Sequence, residues 1–281
     1  MNDRTTRGWP APAASANTRV PLGCAPRPAA TCAALLGAAL AACAWAPPLR
    51  AADEIQVYNS EINEMGEWSL ELHANYAVKG RTLPEAPGGF APDRALQGTP
   101  ELALGVTDWW EVGAYLPFAV TRQGEALAGG VKLRSLFVAP HAKQRRWLFG
   151  LNFELGYMNP AFAAERWNLE VRPIVGFRAG GFEAILNPNL QLALSGSDNR
   201  PDLEPGARVA YTVSGPWTVG LEHYAGLGPV DRLYPAAEQA HTTFAVVEYS
   251  GAGWDLHLGL GHGWSDAADE TVVKTIAKLP L

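Results

Sequence analysis

The longest clean alternation of apolar and polar residues lies at Gly66–Lys79, GEWSLELHANYAVK. Trp68, Leu70, Leu72, Ala74, Tyr76 and Val78 form one row; Ser69, Glu71, His73, Asn75 and Lys79 form the other, broken only by Ala77. Successive side chains point to opposite faces of a sheet, so a period of two predicts a β-strand with one apolar and one polar face. The run exceeds the usual globular strand of about five or six residues. It matches the roughly 9–11 residues with which a tilted strand crosses a bilayer.

The same pattern recurs down the chain. Further strands are predicted at Thr99–Thr107, Trp110–Phe118, Gly130–Val138, Trp147–Met158, Trp167–Phe177 and Phe182–Leu194. Others follow at Glu204–Val213, Trp217–Ala225, His241–Tyr249, Trp254–Gly261 and Thr271–Leu281. With the first, at Glu67–Val78, these make about twelve, an even number as single-chain bacterial barrels have. Connections after odd strands are long, as at Gly80–Gly98 and Gly226–Ala240. Those after even strands are mostly tight, as at Ala179-Gly180-Gly181 and Ser214-Gly215-Pro216, with the basic turn Pro140–Arg146 the exception. Barrels show this asymmetry between short periplasmic turns and longer outer loops.

Each strand of one direction opens with an aromatic on its apolar face: Trp68, Trp110, Trp147, Phe182, Trp217 and Trp254. Six rings at one height make an interfacial belt. A soluble β-sandwich would explain the alternation but neither the aromatic tier nor the alternating loop lengths. The fold class is therefore all-β: an antiparallel up-and-down transmembrane β-barrel.

Residues 29–46 form one long, Ala-rich apolar run, preceded by Arg4, Arg7, Arg19 and Arg27 and followed by small residues at Ala51 and Ala52. Basic, apolar, then small is the order of a secretory signal peptide. Residues 1–51 are read as that signal, cleaved near Ala51 or Ala52, and residues 52–281 as the barrel, exported to the outer membrane. Leu40-Ala41-Ala42-Cys43 also fits a lipoprotein box, which would put a lipid on Cys43. Cys24, Cys32 and Cys43 all precede the cut, so no disulfide framework is expected. Without residues 1–51 the chain carries 17 basic and 27 acidic residues, a net −10 that argues against a nucleic-acid partner. The expected partners are outer-membrane lipids, the barrel assembly machinery during biogenesis, and a small solute. The polar lead-in at 52–65, ADEIQVYNSEINEM, is expected to pair weakly or to lie across the barrel mouth.

Several stretches resemble a group of uncharacterised proteobacterial outer-membrane barrel proteins. They are DEIQVYNSEI, GTPELALGVTDWWEVGAYLPF, RPIVGFRAGGFEAILNPNL, ARVAYTVSGPWTVGLEHYAGLGPV and the closing VKTIAKLPL. The group is more distantly similar to the barrel family named after phenol-degradation (MetA-type) pathway proteins. The resemblance implies an outer-membrane barrel labelled a transporter, and brings no substrate or functional residues. The closing Leu279-Pro280-Leu281 departs from the aromatic ending common in such barrels.

Candidate chemistry lies on the inward faces. By phase they carry Glu71, His73, Glu101, Glu111, Lys132, Arg134, Asn152, Glu154, Glu170, Arg172 and Glu183. They also carry Asn187, Asn189, Gln191, Arg208, Glu222, Glu248, Asp255, His257, Lys274 and Lys278. An Arg or Lys turned to lipid at the midplane costs about 2–4 kcal/mol, which assigns the faces. Mixed charge in a narrow lumen supports two readings. One is a polar path selecting small solutes, so a narrow channel or transporter. The other is a non-conducting structural or interaction barrel whose Glu–Arg/Lys pairs fill the interior. A lipid hydrolase is a third reading, since His241, Thr242, His262 and Ser265 supply Ser/His types, but without a recognised hydrolase pattern. No catalytic residue, metal ligand or cofactor is expected. The His are scattered, and no glycine pair sits in a strand–loop–helix context for a nucleotide.

Overall fold

The computed structural model describes residues 54–84, 88–196, 199–251 and 253–281. The expected signal peptide lies outside the described residues. Twelve staves run in order, each antiparallel to the next. They are β1 (Trp68–Lys79), β2 (Leu96–Gly105), β3 (Trp110–Tyr115, resuming at Phe118–Val120) and β4 (Ala126–Ala128, resuming at Gly130–Val138). Then come β5 (Trp147–Met158), β6 (Trp167–Ala179), β7 (Phe182–Asn187, resuming at Leu190–Ala193) and β8 (Asp202–Leu203, resuming at Gly206–Ser214). The last four are β9 (Trp217–Gly226, resuming at Gly228–Pro229), β10 (Ala240–Gly251), β11 (Trp254–Gly263) and β12 (Thr271–Pro280).

The sheet closes on itself. β12 pairs with β1 from Ser69↔Pro280 to Lys79↔Thr271, and β1 pairs on its other side with β2 from Trp68↔Leu104 to Tyr76↔Leu96. Closure gives each of the twelve staves a hydrogen-bonded neighbour on both sides, as a lipid-embedded backbone requires. The predicted strands hold within a few residues, with three interruptions at prolines. Pro117, Pro188 and Pro205 lie in the gaps of β3, β7 and β8, where the missing N–H removes a ladder hydrogen bond.

The packing is inverted relative to a soluble protein. In β1, Leu70, Leu72, Tyr76 and Val78 are 37–45% exposed, whereas Ser69, Glu71, His73 and Asn75 are at most 9% exposed. Val209, Leu221, Val247, Leu258 and Leu260 continue the exposed apolar wall around the ring. A soluble monomer rarely exposes so continuous an apolar surface; hydrocarbon is the solvent that suits it. Trp68, Trp147, Phe182, Trp217 and Trp254 are exposed at the short-turn end of this wall. Trp110 shares their face but is half-covered, stacked on Phe137 at 6.1 Å with its Nε1–H donated to Ser135 Oγ at 2.9 Å. Trp167 packs on Tyr157 (5.0 Å) at the opposite, long-loop end.

Candidate functional site

The inward residues of the staves form ionic clusters centred on three arginines. Arg134 (β4) reaches Glu101 (β2) at 2.6 Å and Glu111 (β3) at 2.5 Å. Arg172 (β6) reaches Glu170 at 2.5 Å and Glu154 (β5) at 3.9 Å. Arg208 (β8) meets Glu183 (β7) at 3.3 Å, Glu222 (β9) at 3.0 Å and Glu248 (β10) at 2.6 Å. Lysines complete the ring: Lys132 pairs with Glu154 at 2.6 Å, Lys278 with Glu71 at 2.8 Å, and Lys274 with Glu222. Some pairs join neighbouring staves, as Lys132–Glu154 and Lys278–Glu71 do, while others reach across the lumen, as Arg134–Glu101 and Lys274–Glu222 do. Planar guanidinium forks suit this bridging, because each presents several donors in fixed directions.

Of the residues assigned to the lumen by phase, most are buried: Glu71, His73, Glu101, Glu111, Lys132, Arg134, Asn152, Glu154, Arg172, Asn187, Arg208, Glu222 and Lys274. Glu170, Glu183, Asn189, Gln191, Glu248 and His257 are half-buried on the same side. Asp255, one residue into β11, is exposed at the rim. His73 sits 3.5 Å from Glu101 and 3.9 Å from Glu71, and His257 Nδ1 lies 2.7 Å from Glu248. Glu71–His73–Glu101 and Glu222–Glu248–His257 thus each bring three potential metal ligands together. Their carboxylates already face Lys278, Arg134, Arg208 or Lys274, so resident cations occupy the places a metal ion would need.

The lead-in does more than lie across a mouth: residues 54–63 thread into the lumen. Tyr58 is at its centre and is 6% exposed. Asn187 (β7) grips its backbone from both sides, accepting its N–H at 2.7 Å and donating to its carbonyl at 3.1 Å. The Tyr58 hydroxyl donates to Glu54 at 2.9 Å and lies 2.7 Å from the Tyr115 hydroxyl. Its ring covers the Arg172 guanidinium at 4.3 Å. Glu54 pairs with Arg172 at 3.3 Å, and Lys274 donates to the Ile55 carbonyl at 2.9 Å. Nearer the short turns, Glu111 accepts the Asn63 N–H at 2.6 Å. There a Cβ on Gly105 would stand 2.2 Å from the Glu64 carbonyl, so the bare β2 backbone makes room for the segment.

An inward apolar patch seats the segment. Val57 and Tyr58 pack on Leu136, Val138, Leu148, Ile174 and Ile185. These residues occupy the polar phase of β4–β7, an exception to the alternation that the pattern of charges alone did not signal. Ile55, Val57 and Tyr58 in a polar lead-in were the only sequence sign of a docking role.

The segment and the ionic ring separate two vestibules. One, of 870 Å³ at the long-loop end, is lined by residues including Arg81, Glu204, Tyr234, Glu238 and Trp264. The other, of 600 Å³ at the short-turn end, is lined by Asn59, Glu61, Arg145, Arg146, Arg178 and Glu248 among others. Of the Ser/His types at the rim, Ser265 and His241 meet, but not as a nucleophile and its base. Ser265 Oγ meets His241 through the backbone N–H at 3.3 Å and not through the imidazole that would have to activate it.

No family model matches the chain, and no curated protein matches its sequence. Solved structures do. The COG4313 outer membrane channel from Pseudomonas putida F1 superposes with a TM-score of 0.56 at 13% identity, over 81% of this chain and 100% of that one. The KdgM porin gives 0.49 at 10% identity, over 75% and 98%. LpxR from Salmonella typhimurium gives 0.43 at 12% identity, over 75% and 99%. The chain has the fold of an outer-membrane barrel. At such identities the likeness is one of fold, and the resemblance to the phenol-degradation barrels rests on the sequence stretches alone.

Proposed function

We propose that the protein is an outer-membrane channel for small solutes, closed at mid-height by its own residues 54–63. One observation carries this reading. The obstruction between the two vestibules is in large part a separate segment held by noncovalent contacts alone, hydrogen bonds, an ion pair and a small apolar patch, and a segment can leave where a stave cannot. The polar inner wall would then conduct water and small polar or charged solutes. The name of the Pseudomonas putida structure, an outer membrane channel, agrees with this proposal. Flux into liposomes carrying the folded chain, with folding verified by heat-modifiable gel migration, tests it. Flux that depends on solute size and rises on deletion of residues 54–63 supports the channel. No flux from either form refutes it.

A second reading, a non-conducting structural barrel, draws on the arginine clusters, which cross-link different staves through the lumen. Under it the deletion would lower stability and leave the barrel impermeable. The lipid-hydrolase reading has no assembled nucleophile–base pair behind it at Ser265.

A further inference from the structure

The outer wall carries a polar cluster that the lumen does not explain. In β9 the exposed residues Val219 and Leu221 face outward, and His223 shares their phase, while Glu222 and Tyr224 point inward. In β10, His241 and Thr243 share the outward phase of the exposed Val247, opposite the buried Phe244 and Val246. The ladder pairs His223 with Thr243 and Ala225 with His241, which makes the two histidines diagonal neighbours. They lie at the long-loop end of the apolar wall, and both are half-buried, so the medium reaches them.

Their rings stack at 5.5 Å between centroids, with His223 Nε2 3.3 Å from His241 Nδ1. The far nitrogen of each ring is held by an oxygen. His223 Nδ1 lies 2.9 Å from Thr243 Oγ1, and His241 Nε2 lies 3.2 Å from Gln239 Oε1. Gln239 donates its Nε2 to the Tyr234 carbonyl at 2.8 Å, which fixes its amide so that Oε1 is an acceptor. His241 therefore carries its proton on Nε2 and turns a lone pair on Nδ1 toward His223. Thr243 Oγ1 is itself fixed by the Trp264 indole N–H at 2.9 Å. It can serve His223 Nδ1 as donor or as acceptor, so His223 can present either a proton or a lone pair on Nε2.

We propose that His223 and His241 form a two-histidine binding site for a divalent transition-metal ion of the zinc or copper kind. Two imidazole ligands on one tetrahedral ion, with metal–nitrogen bonds of about 2.0–2.1 Å, stand about 3.4 Å apart. The pair already has that separation. Oxygen partners on the far nitrogens are the arrangement that orients metal-bound imidazoles. On binding, His223 changes tautomer through solvent: the proton on Nε2 is given up and one is taken up on Nδ1, Thr243 rotates to accept from Nδ1–H, and both inner nitrogens bind the ion with no net proton release. Water fills the remaining positions. The site is independent of the lumen and of solute passage.

Zn²⁺ titration of the folded, tag-free chain by calorimetry tests this, beside Cu²⁺ electron paramagnetic resonance. Expected are one Zn²⁺ per chain, an affinity at least tenfold weaker in His223→Ala and in His241→Ala, and an unchanged affinity in Glu101→Gln, whose side chain belongs to a lumen cluster. The Cu²⁺ spectrum of the unaltered protein should carry coupling to two imidazole nitrogens, a readout that does not depend on any variant folding. Absence of Zn²⁺ binding, an affinity unchanged from the unaltered protein in either alanine variant, or coupling to fewer than two nitrogens would overturn the site.

Discussion

Asn187→Leu offers a direct test of the threaded segment. The Asn187 side chain is buried, and its one amide holds both polar groups of the Tyr58 backbone, at 2.7 and 3.1 Å. Leucine keeps most of the volume but supplies neither partner. Each lost bond is worth about 1 kcal/mol net, and a buried group left unsatisfied costs about 1–3 kcal/mol. In the displaced state the Tyr58 backbone is hydrated and pays neither penalty. The substitution therefore disfavours the docked state by about 2 kcal/mol at the least, roughly thirtyfold in the open-to-closed ratio at 1.4 kcal/mol per decade. Single-channel recording in planar bilayers would measure the open fraction, with heat-modifiable migration confirming an intact barrel. A folded variant with the open fraction of the parent would refute the claim that this segment closes the path.

Other substitutions probe other parts of the argument. Gly105→Ala should also raise the open fraction, because its Cβ would meet the backbone carbonyls of Glu64 at 2.2 Å and Asn63 at 2.6 Å and force the segment aside; unchanged conductance would mean that β2 yields instead. Arg134→Met should lower stability by about 3–5 kcal/mol, since it strands two buried carboxylates, Glu101 and Glu111. Urea unfolding in lipid vesicles would measure this, and a loss under 1 kcal/mol would mean that water already screens the cluster. Leu221→Arg, on the outer wall midway along β9, should cost about 2–4 kcal/mol in vesicles if that face meets hydrocarbon. A near-neutral result, usual at an ordinary protein surface, would argue against the membrane-facing assignment.

Much of this molecule was legible in one dimension. Strand phase is a local property: a residue's face follows from its parity within its own stave. Trp68 through Val78 therefore announced a two-faced strand unaided, and inward charges such as Glu154 and Arg172 could be assigned without knowing any neighbour. Loop lengths and the aromatic tier then distinguished a closed barrel from a sandwich. The Pro117, Pro188 and Pro205 interruptions were also present in the sequence, but strong flanking alternation masked them.

Tertiary structure decided everything that depends on which residues meet across staves. That is set by the stagger of the closed ring, a property of all twelve pairings together. Arg208 reaches Glu183, Glu222 and Glu248 from three different staves, a grouping no spacing in the chain implies. The lead-in has no periodicity, so nothing local reveals that Tyr58 fits between Asn187, Tyr115 and Arg172. His223 and His241, eighteen positions apart and separated by a long loop, become neighbours only because β9 and β10 pair in one register. Parity gives each side chain a face; only closure gives it a partner.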